Sequence, residues 1–213
     1  MTTPPEIQTL IDAVVRADTS DGLLEATEAL AATGHPDSAP CLLEILGFNN
    51  PGAAVAAVDG LIAIGEPVVD TILDNLDGYN YGARAWSVRA LAGIGDRRGL
   101  PVLERALAAD IGPSVRRAAA CGLGNLQLSD ADQADAERQR CLSGLIQATG
   151  DGEWIVRYAV TVGLERRLND AHCPDALRDA GLQALELLNS DAKEDVKVVR
   201  LRAALALQRL NAG

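Results

Sequence analysis

Apolar residues recur along this chain at helical spacing and are interrupted at nearly fixed intervals by glycine. Ala85, Val88 and Leu91 follow an i, i+3, i+6 pattern, Gly95-Asp96 breaks it, and Leu100, Leu103 and Leu107 resume at i, i+3, i+7. The spacing predicts a helix, a turn and a second helix. The same unit returns: "ALAATG" closes at Gly34, "GLIAIG" at Gly65, "ALAGIG" at Gly95 and "CGLGN" at Gly124, in steps of 31, 30 and 29 residues. A second mark, Val-Arg, recurs at Val115-Arg116, Val156-Arg157 and Val199-Arg200. A period near 30 residues predicts stacked helix pairs, each burying its apolar face against its neighbours. No run alternates with period two, so no strand is expected.

The predicted architecture is all-α: a right-handed α-solenoid of about five helix pairs, with an N-terminal helix from Pro4 to Ala17 as a cap. Unit boundaries fall at Asn49-Asn50-Pro51-Gly52, Asp77-Gly78, Ile111-Gly112-Pro113 and Gly150-Asp151-Gly152. None resembles a long linker, so residues 1–213 are expected to form a single repeat domain. The stretch Ser129 to Arg140 reads as an acidic, solvated entry to a longer second helix.

Composition explains how such a fold is packed. The chain has 36 Ala among 213 residues and only six aromatic residues, so its core is thin and distributed, and small side chains let neighbouring helices approach closely. The formal net charge of −11 argues against general nucleic-acid binding, which needs a cationic face to displace counterions. The 17 Arg against 2 Lys leave two readings open. Arginine forks serve specific contacts to carboxylates and flat rings, or the bias reflects GC-rich coding, which also inflates Ala and Gly. The N-terminal stretch Met1 to Val15 has no cationic region followed by an apolar run, so neither a signal peptide nor a membrane span is expected. Cys41, Cys121, Cys141 and Cys173 include no CxxC pair, which suits reduced thiols in a cytoplasmic protein and offers no metal site.

The sequence has no Walker loop, GxGxxG, HExxH or GxSxG. His172 and Cys173 are adjacent in a predicted turn, where neighbouring side chains point apart, and read as an inter-helix turn rather than a nucleophile with its base. The aromatic residues are more informative because they cluster. Tyr79, Tyr81 and Trp86 lie within eight positions, together with Asn80, Arg84 and Arg89, just after Asp74 and Asp77. Trp154, Arg157 and Tyr158 form a second cluster. Equivalent positions in a solenoid line up, so both clusters are candidates to border one groove, while the two tryptophans read equally well as inter-repeat core.

The stretch "LDNLDGYNYGARAWSVRALAGIGD", residues 73 to 96, with "SVRRAAACGLGNL" after it, resembles the F-type subunits of the E/F phycobilin lyases, proteins of HEAT-like repeats. The resemblance implies a heterodimer with an E-type lyase subunit. It also implies the attachment of an open-chain tetrapyrrole, phycocyanobilin or another phycobilin, through a thioether to a cysteine of the phycocyanin alpha subunit, with no tightly bound cofactor. On that reading Asp74, Asp77 and Tyr79 take the catalytic roles. Tyr81, Arg84, Trp86, Arg89, Trp154, Arg157 and Tyr158 bind substrate, the rings stacking on the chromophore and the arginines pairing with its propionates. Lyase-isomerases of the same family carry a His-Cys pair in the equivalent loop, where this chain has Tyr79-Asn80-Tyr81-Gly82, so ligation without isomerisation is expected. The rival expectations are a non-catalytic repeat scaffold gripping a protein partner, and a factor handling bilin or phycobiliprotein during antenna turnover.

Overall fold

A computed structural model describes residues 3–76, 80–128, 134–173 and 175–212. Among them are twelve α-helices, joined by turns and short 3-10 segments, and no strand. Contacts divide the chain into two units, Met1–Ile94 and Gly95–Gly213. The first holds α1 Pro5–Arg16, α2 Ser20–Ala31, α3 Ala39–Ile45, α4 Pro51–Ile64, α5 Val69–Asp74 and α6 Tyr81–Ile94. There α1 packs on α2, α2 on α4 and α4 on α6, with α3 against α4 and α5. The second holds α7 Leu100–Ala109, α8 Pro113–Asn125, α9 Ala134–Gln147, α10 Trp154–Leu168, α11 Asp175–Asn189 and α12 Lys197–Asn211. Its α8, α10 and α12 pack side by side as one layer, and α7, α9 and α11 as the other. The predicted cap helix is α1, one residue shorter at each end. No single helix among the described residues is long and apolar enough to cross a membrane.

Local chemistry explains the ends of these helices. Thr19 caps α2 by accepting from the Gly22 N–H at 3.0 Å, and Asn50 caps α4 by accepting from Ala53 at 3.1 Å. Proline occupies the first turn of α1, α4 and α8, where its missing N–H removes no helical bond. Gly34, Gly65 and Gly95 follow α2, α4 and α6 with φ of 57°, 76° and 73°, a conformation that disfavours any side chain. The fourth glycine of the sequence pattern, Gly124, does something else. It lies inside α8, where an added Cβ would stand 2.6 Å from the Cα of Gly163 in α10. Its step of 29 residues was therefore a change of role and not a shortened repeat.

The long helices share one register. Counting from each capping residue, the fourth position is Ala54 in α4, Arg84 in α6, Arg116 in α8, Arg157 in α10 and Arg200 in α12, and its N–H donates to the carbonyl of that cap. Six residues on stand Gly60, Ala90, Gly122, Gly163 and Ala206, all buried and all small, so adjacent backbones come close. The next position holds Leu61, Leu91, Leu123 and Leu164, each fully buried and each contributing about 2 kcal/mol of hydrophobic stabilisation.

In the second unit the fourth-position arginines form a ladder. Arg116 donates through Nε and Nη2 to the Asp151 carboxylate at 2.7 and 2.9 Å, and through Nη1 to the carbonyl of Asp110 at 2.9 Å. Arg157 repeats the pattern one helix later, with Glu194 at 2.6 and 2.7 Å and the Asp151 carbonyl at 2.8 Å. Arg200 donates to the Glu194 carbonyl at 2.8 Å and pairs with Asp191. Each arginine thus closes the turn before its own helix, and Arg116 and Arg157 also hold the turn before the next. The stretch expected to be solvated is corrected in one respect: Arg138 in α9 is buried and donates to Asp135 at 3.1 Å, because its stem packs inward while its head finds a carboxylate. Ser129–Gln133 fall outside the described residues.

Candidate functional site

The first aromatic cluster is built on the start of α6. Asn80 caps that helix, accepting from the Ala83 N–H at 3.0 Å, and this fixes Tyr81 as the first helical residue with its ring 43% exposed. The Arg84 guanidinium lies 5.7 Å from the centre of the Tyr81 ring. One turn further, Arg89 lies 5.4 Å from the centre of the Trp86 ring, and both side chains are half-buried. Trp86 faces a groove of about 290 Å³ shared with Phe48, Pro51 and Asn80. Asp74 is the exposed last residue of α5. Asp77 and Tyr79 lie outside the described residues.

The second cluster sits on α10. Trp154 is its first residue, 45% exposed, and Tyr158 follows one turn later on the same exposed face. Core burial is therefore excluded for Trp154, while Trp86 combines partial burial with an open edge. Arg157, between the two aromatic residues, points the other way into the ladder, with both its forks engaged by Glu194 and by the carbonyls of Asp151 and Gly152. Burial and this hydrogen-bonded pairing give Arg157, expected to bind substrate, a role in holding the fold. Register separates the tryptophans too. Tyr81 and Trp154 both stand first in their helices, whereas Trp86 occupies the sixth position, where α4, α8 and α10 have alanine.

Electrostatics reinforce these assignments. The hydrogen bond from Arg157 is the main cause holding the Glu194 carboxyl below its usual range. Burial pushes Asp151 up, but hydrogen bonds from Arg116 and the Glu153 N–H outweigh it and its carboxyl also ends below the ordinary value. Every thiol is pushed up by burial, Cys141 to about 11, so all four remain neutral at physiological pH. In the turn after α10, Asp170 accepts from the His172 N–H at 3.0 Å and faces the His172 ring at 3.4 Å, so the histidine is oriented by Asp170. Among the described residues no group of His, Cys, Asp and Glu is arranged to hold a metal ion.

Phe48 is the residue that sequence reasoning missed. It is the only phenylalanine of the chain, stands alone between Gly47 and Asn49, and has no aromatic neighbour in sequence that would have flagged it. It comes beside Trp86 only through the packing of α4 on α6.

Comparisons with known proteins agree with this architecture and sharpen it. HEAT repeats match residues 69–136. The "Phycobilisome maturation protein" of Synechococcus elongatus is 46% identical over 96% of this chain and 98% of its own length. The "Phycocyanin alpha phycocyanobilin lyase CpcF" of Synechocystis sp. is 50% identical over 82% of this chain and 83% of its own length. Among solved structures, the complex of CpcE and CpcF of phycocyanin lyase from Nostoc sp. contains a chain 41% identical to this one, with a TM-score of 0.72, covering 81% of this chain and 99% of that one. With identity at this level across most of the chain, the protein belongs to the CpcF-type F subunits of the phycobilin lyases.

Proposed function

We propose that the chain is the F subunit of a heterodimeric bilin lyase that works in the cytoplasm with an E-type partner. It attaches phycocyanobilin to a cysteine of the phycocyanin alpha subunit without isomerising the chromophore. The observation that carries this reading is the 50% identity with a phycocyanin alpha phycocyanobilin lyase. The site supports it, since an exposed and a half-buried ring, each beside an arginine, suit a flat dianionic chromophore. The helical register continues from α4 to α12, which supports reading residues 1–213 as one HEAT-like repeat domain.

In the reaction the acceptor sulfur forms a bond to the vinyl-derived carbon of the bilin, and the thiol proton ends on the chromophore. Such an addition needs orientation and shielding more than a strong nucleophile. Asp74 and Asp77 pair with the protonated ring nitrogens and so keep on the chromophore the positive charge that makes the reacting carbon electrophilic, while Tyr79, Tyr81 and Trp86 stack on the rings. Arg89 is the better propionate partner of the two arginines on α6, because Arg84 occupies the ladder position. Trp154 and Tyr158 offer a second exposed aromatic surface for the protein substrate.

The test is to incubate the purified chain, alone and with an E-type subunit, with phycocyanobilin and apo-phycocyanin alpha, and to read covalent chromophore after acid denaturation. Transfer that requires both subunits, with an unshifted product spectrum, is the expected outcome. Bilin absorbance changes without transfer would favour a turnover factor, and no response at all a scaffold.

A further inference from the structure

Phe48 follows α3, where its N–H donates to the Ile45 carbonyl at 3.0 Å and its side chain is left 43% exposed. A single exposed apolar ring needs no explanation on a protein surface. Phe48 differs because two grooves of the first unit meet at it. On one side is the groove of about 290 Å³ that Trp86 and Asn80 border. On the other is a groove of about 520 Å³ between α1, the start of α2 and α3, with Val15, itself 74% exposed, and the half-buried Leu23 as apolar walls. Phe48, Asn49 and Asn50 belong to both grooves.

The rim between them is held internally. Asn50 accepts from Ala53 at 3.1 Å and donates to the Ser20 carbonyl at 3.0 Å, tying the start of α4 to the start of α2. Thr19 is engaged in its own cap. These polar groups are committed to the fold. What faces the cavity is an aromatic and aliphatic surface, with the carboxylates of Asp18 and Glu44 on the larger groove and Trp86 on the smaller one, while Arg89 lies over the Trp86 ring behind the groove's own lining. Ligand sites usually enclose about 300–1,000 Å³. The smaller groove, at about 290 Å³, falls just below that range and would take only part of a four-ring chromophore, whereas the larger, at about 520 Å³, lies inside it, and Phe48, Asn49 and Asn50 form the wall they share.

The geometry points to a single trough across Phe48 as the seat of the open-chain tetrapyrrole. In it the rings lie against Phe48 and Trp86, a propionate reaches out to Arg89, and the N–H groups of the rings that Asp74 and Asp77 do not hold turn toward Asp18 and Glu44. This deepens the lyase reading and rests on it. The distribution of charge matches the ligand, whose acids and whose N–H donors lie on different edges of its conjugated system. The trough also protects its cargo. Cys41 lines the larger groove, and burial first, then the Glu44 carboxylate, pushes its thiol up. A thiol that stays protonated is a poor nucleophile, so the lyase does not capture the bilin that it must deliver.

The experiment is a phycocyanobilin titration, followed by absorbance, of the complex with the E-type subunit, alongside transfer to apo-phycocyanin alpha. Phe48→Ala should weaken bilin binding about tenfold or more. Phe48→Leu, which keeps apolar bulk without the flat ring, should fall between it and wild type, and Val15→Asp should weaken binding from the other groove. All three should melt at the wild-type temperature, as exposed positions do. Ile111→Ala, an exposed apolar truncation in the second unit, should bind as wild type. If wild type transfers bilin and the Phe48 and Val15 variants bind it equally well, the trough is overturned while the lyase reading stands. If wild type neither binds nor transfers bilin, the lyase reading falls and takes the trough with it.

Discussion

Tyr81 and Trp154 occupy the same place in two helices, α6 and α10, and each is followed three residues later by an arginine. Sequence alone makes these clusters look like copies of one device. In α10 the arginine is taken by Glu194, which is 2% exposed, and by the carbonyls of the preceding turn, so only the two aromatic residues remain presented outward. In α6 a further arginine, Arg89, stands five residues beyond the ladder position and lies over Trp86, which itself lines a groove. The column to which Arg89 belongs reads Asp59, Arg89, Cys121, Val162 and Leu205 along the repeats, with no shared chemistry. A residue that repeats with the helices is serving the stack. One that breaks the column is free to serve a ligand.

That contrast is broken most directly by comparing Arg157→Ala with Arg89→Ala. Removing Arg157 strands a buried carboxylate, and breaking a buried pair from one side costs about 3–5 kcal/mol, which by calorimetry lowers Tm by about 10 °C or more. Arg89→Ala should leave Tm within about 2 °C, as surface changes usually do, yet slow bilin transfer about tenfold or more through loss of a charge-assisted contact. Equal melting losses in the two variants would erase the distinction. A smaller effect is expected from Trp154→Ala combined with Tyr158→Ala. With the bilin in the first unit, this pair should leave the bilin titration unchanged and raise the KM for the acceptor protein severalfold. A loss of bilin affinity instead would return the chromophore to α10.

The gentlest probe is pH. Glu194 and Asp151 have folded-state values below those of the unfolded chain, so the stability they contribute is present above the unfolded carboxylate range near pH 4 and is lost as pH falls through the lower folded values. Thermal melts between pH 7 and pH 3 should therefore show a decline beginning near pH 4.5. Arg157→Ala, which removes the main cause of the Glu194 shift, should decline less steeply over the same interval. Parallel curves would show that the ladder is not what acid removes.

Much of the fold was legible because it is written in periods. Glycines after α2, α4 and α6 carry a backbone requirement that recurs through the first unit, and the Val-Arg mark of α8, α10 and α12 carries a ladder requirement that recurs through the second, and a requirement that recurs is visible as spacing. The site was legible only in part. Tyr81, Trp86 and Trp154 stood out because aromatic residues are so scarce here. The separation of Arg89 from Arg157 was hidden, since it depends on where each helix begins. Val88-Arg89 has the letters of the repeat mark, but the cap at Asn80 sets the α6 ladder position at Arg84. Phe48 was hidden for another reason: its partner Trp86 is 38 residues away and meets it only through helix packing.

The carbonyl-and-carboxylate clasp of Arg116 and Arg157 has a consequence for how the second unit comes apart. In a stack held by apolar contact alone, the last helix frays at little expense, and the array shortens from its end one repeat at a time. Here, peeling α12 away withdraws Glu194 from Arg157, exposes the turn before α10 and loosens Asp151, to which Arg116 is bound in turn. Opening at the C-terminal edge thus propagates inward through successive charge pairs. The unit is therefore expected to open as one block from α8 to α12, and hydrogen exchange should show amide protection spread evenly along it instead of tapering toward its end.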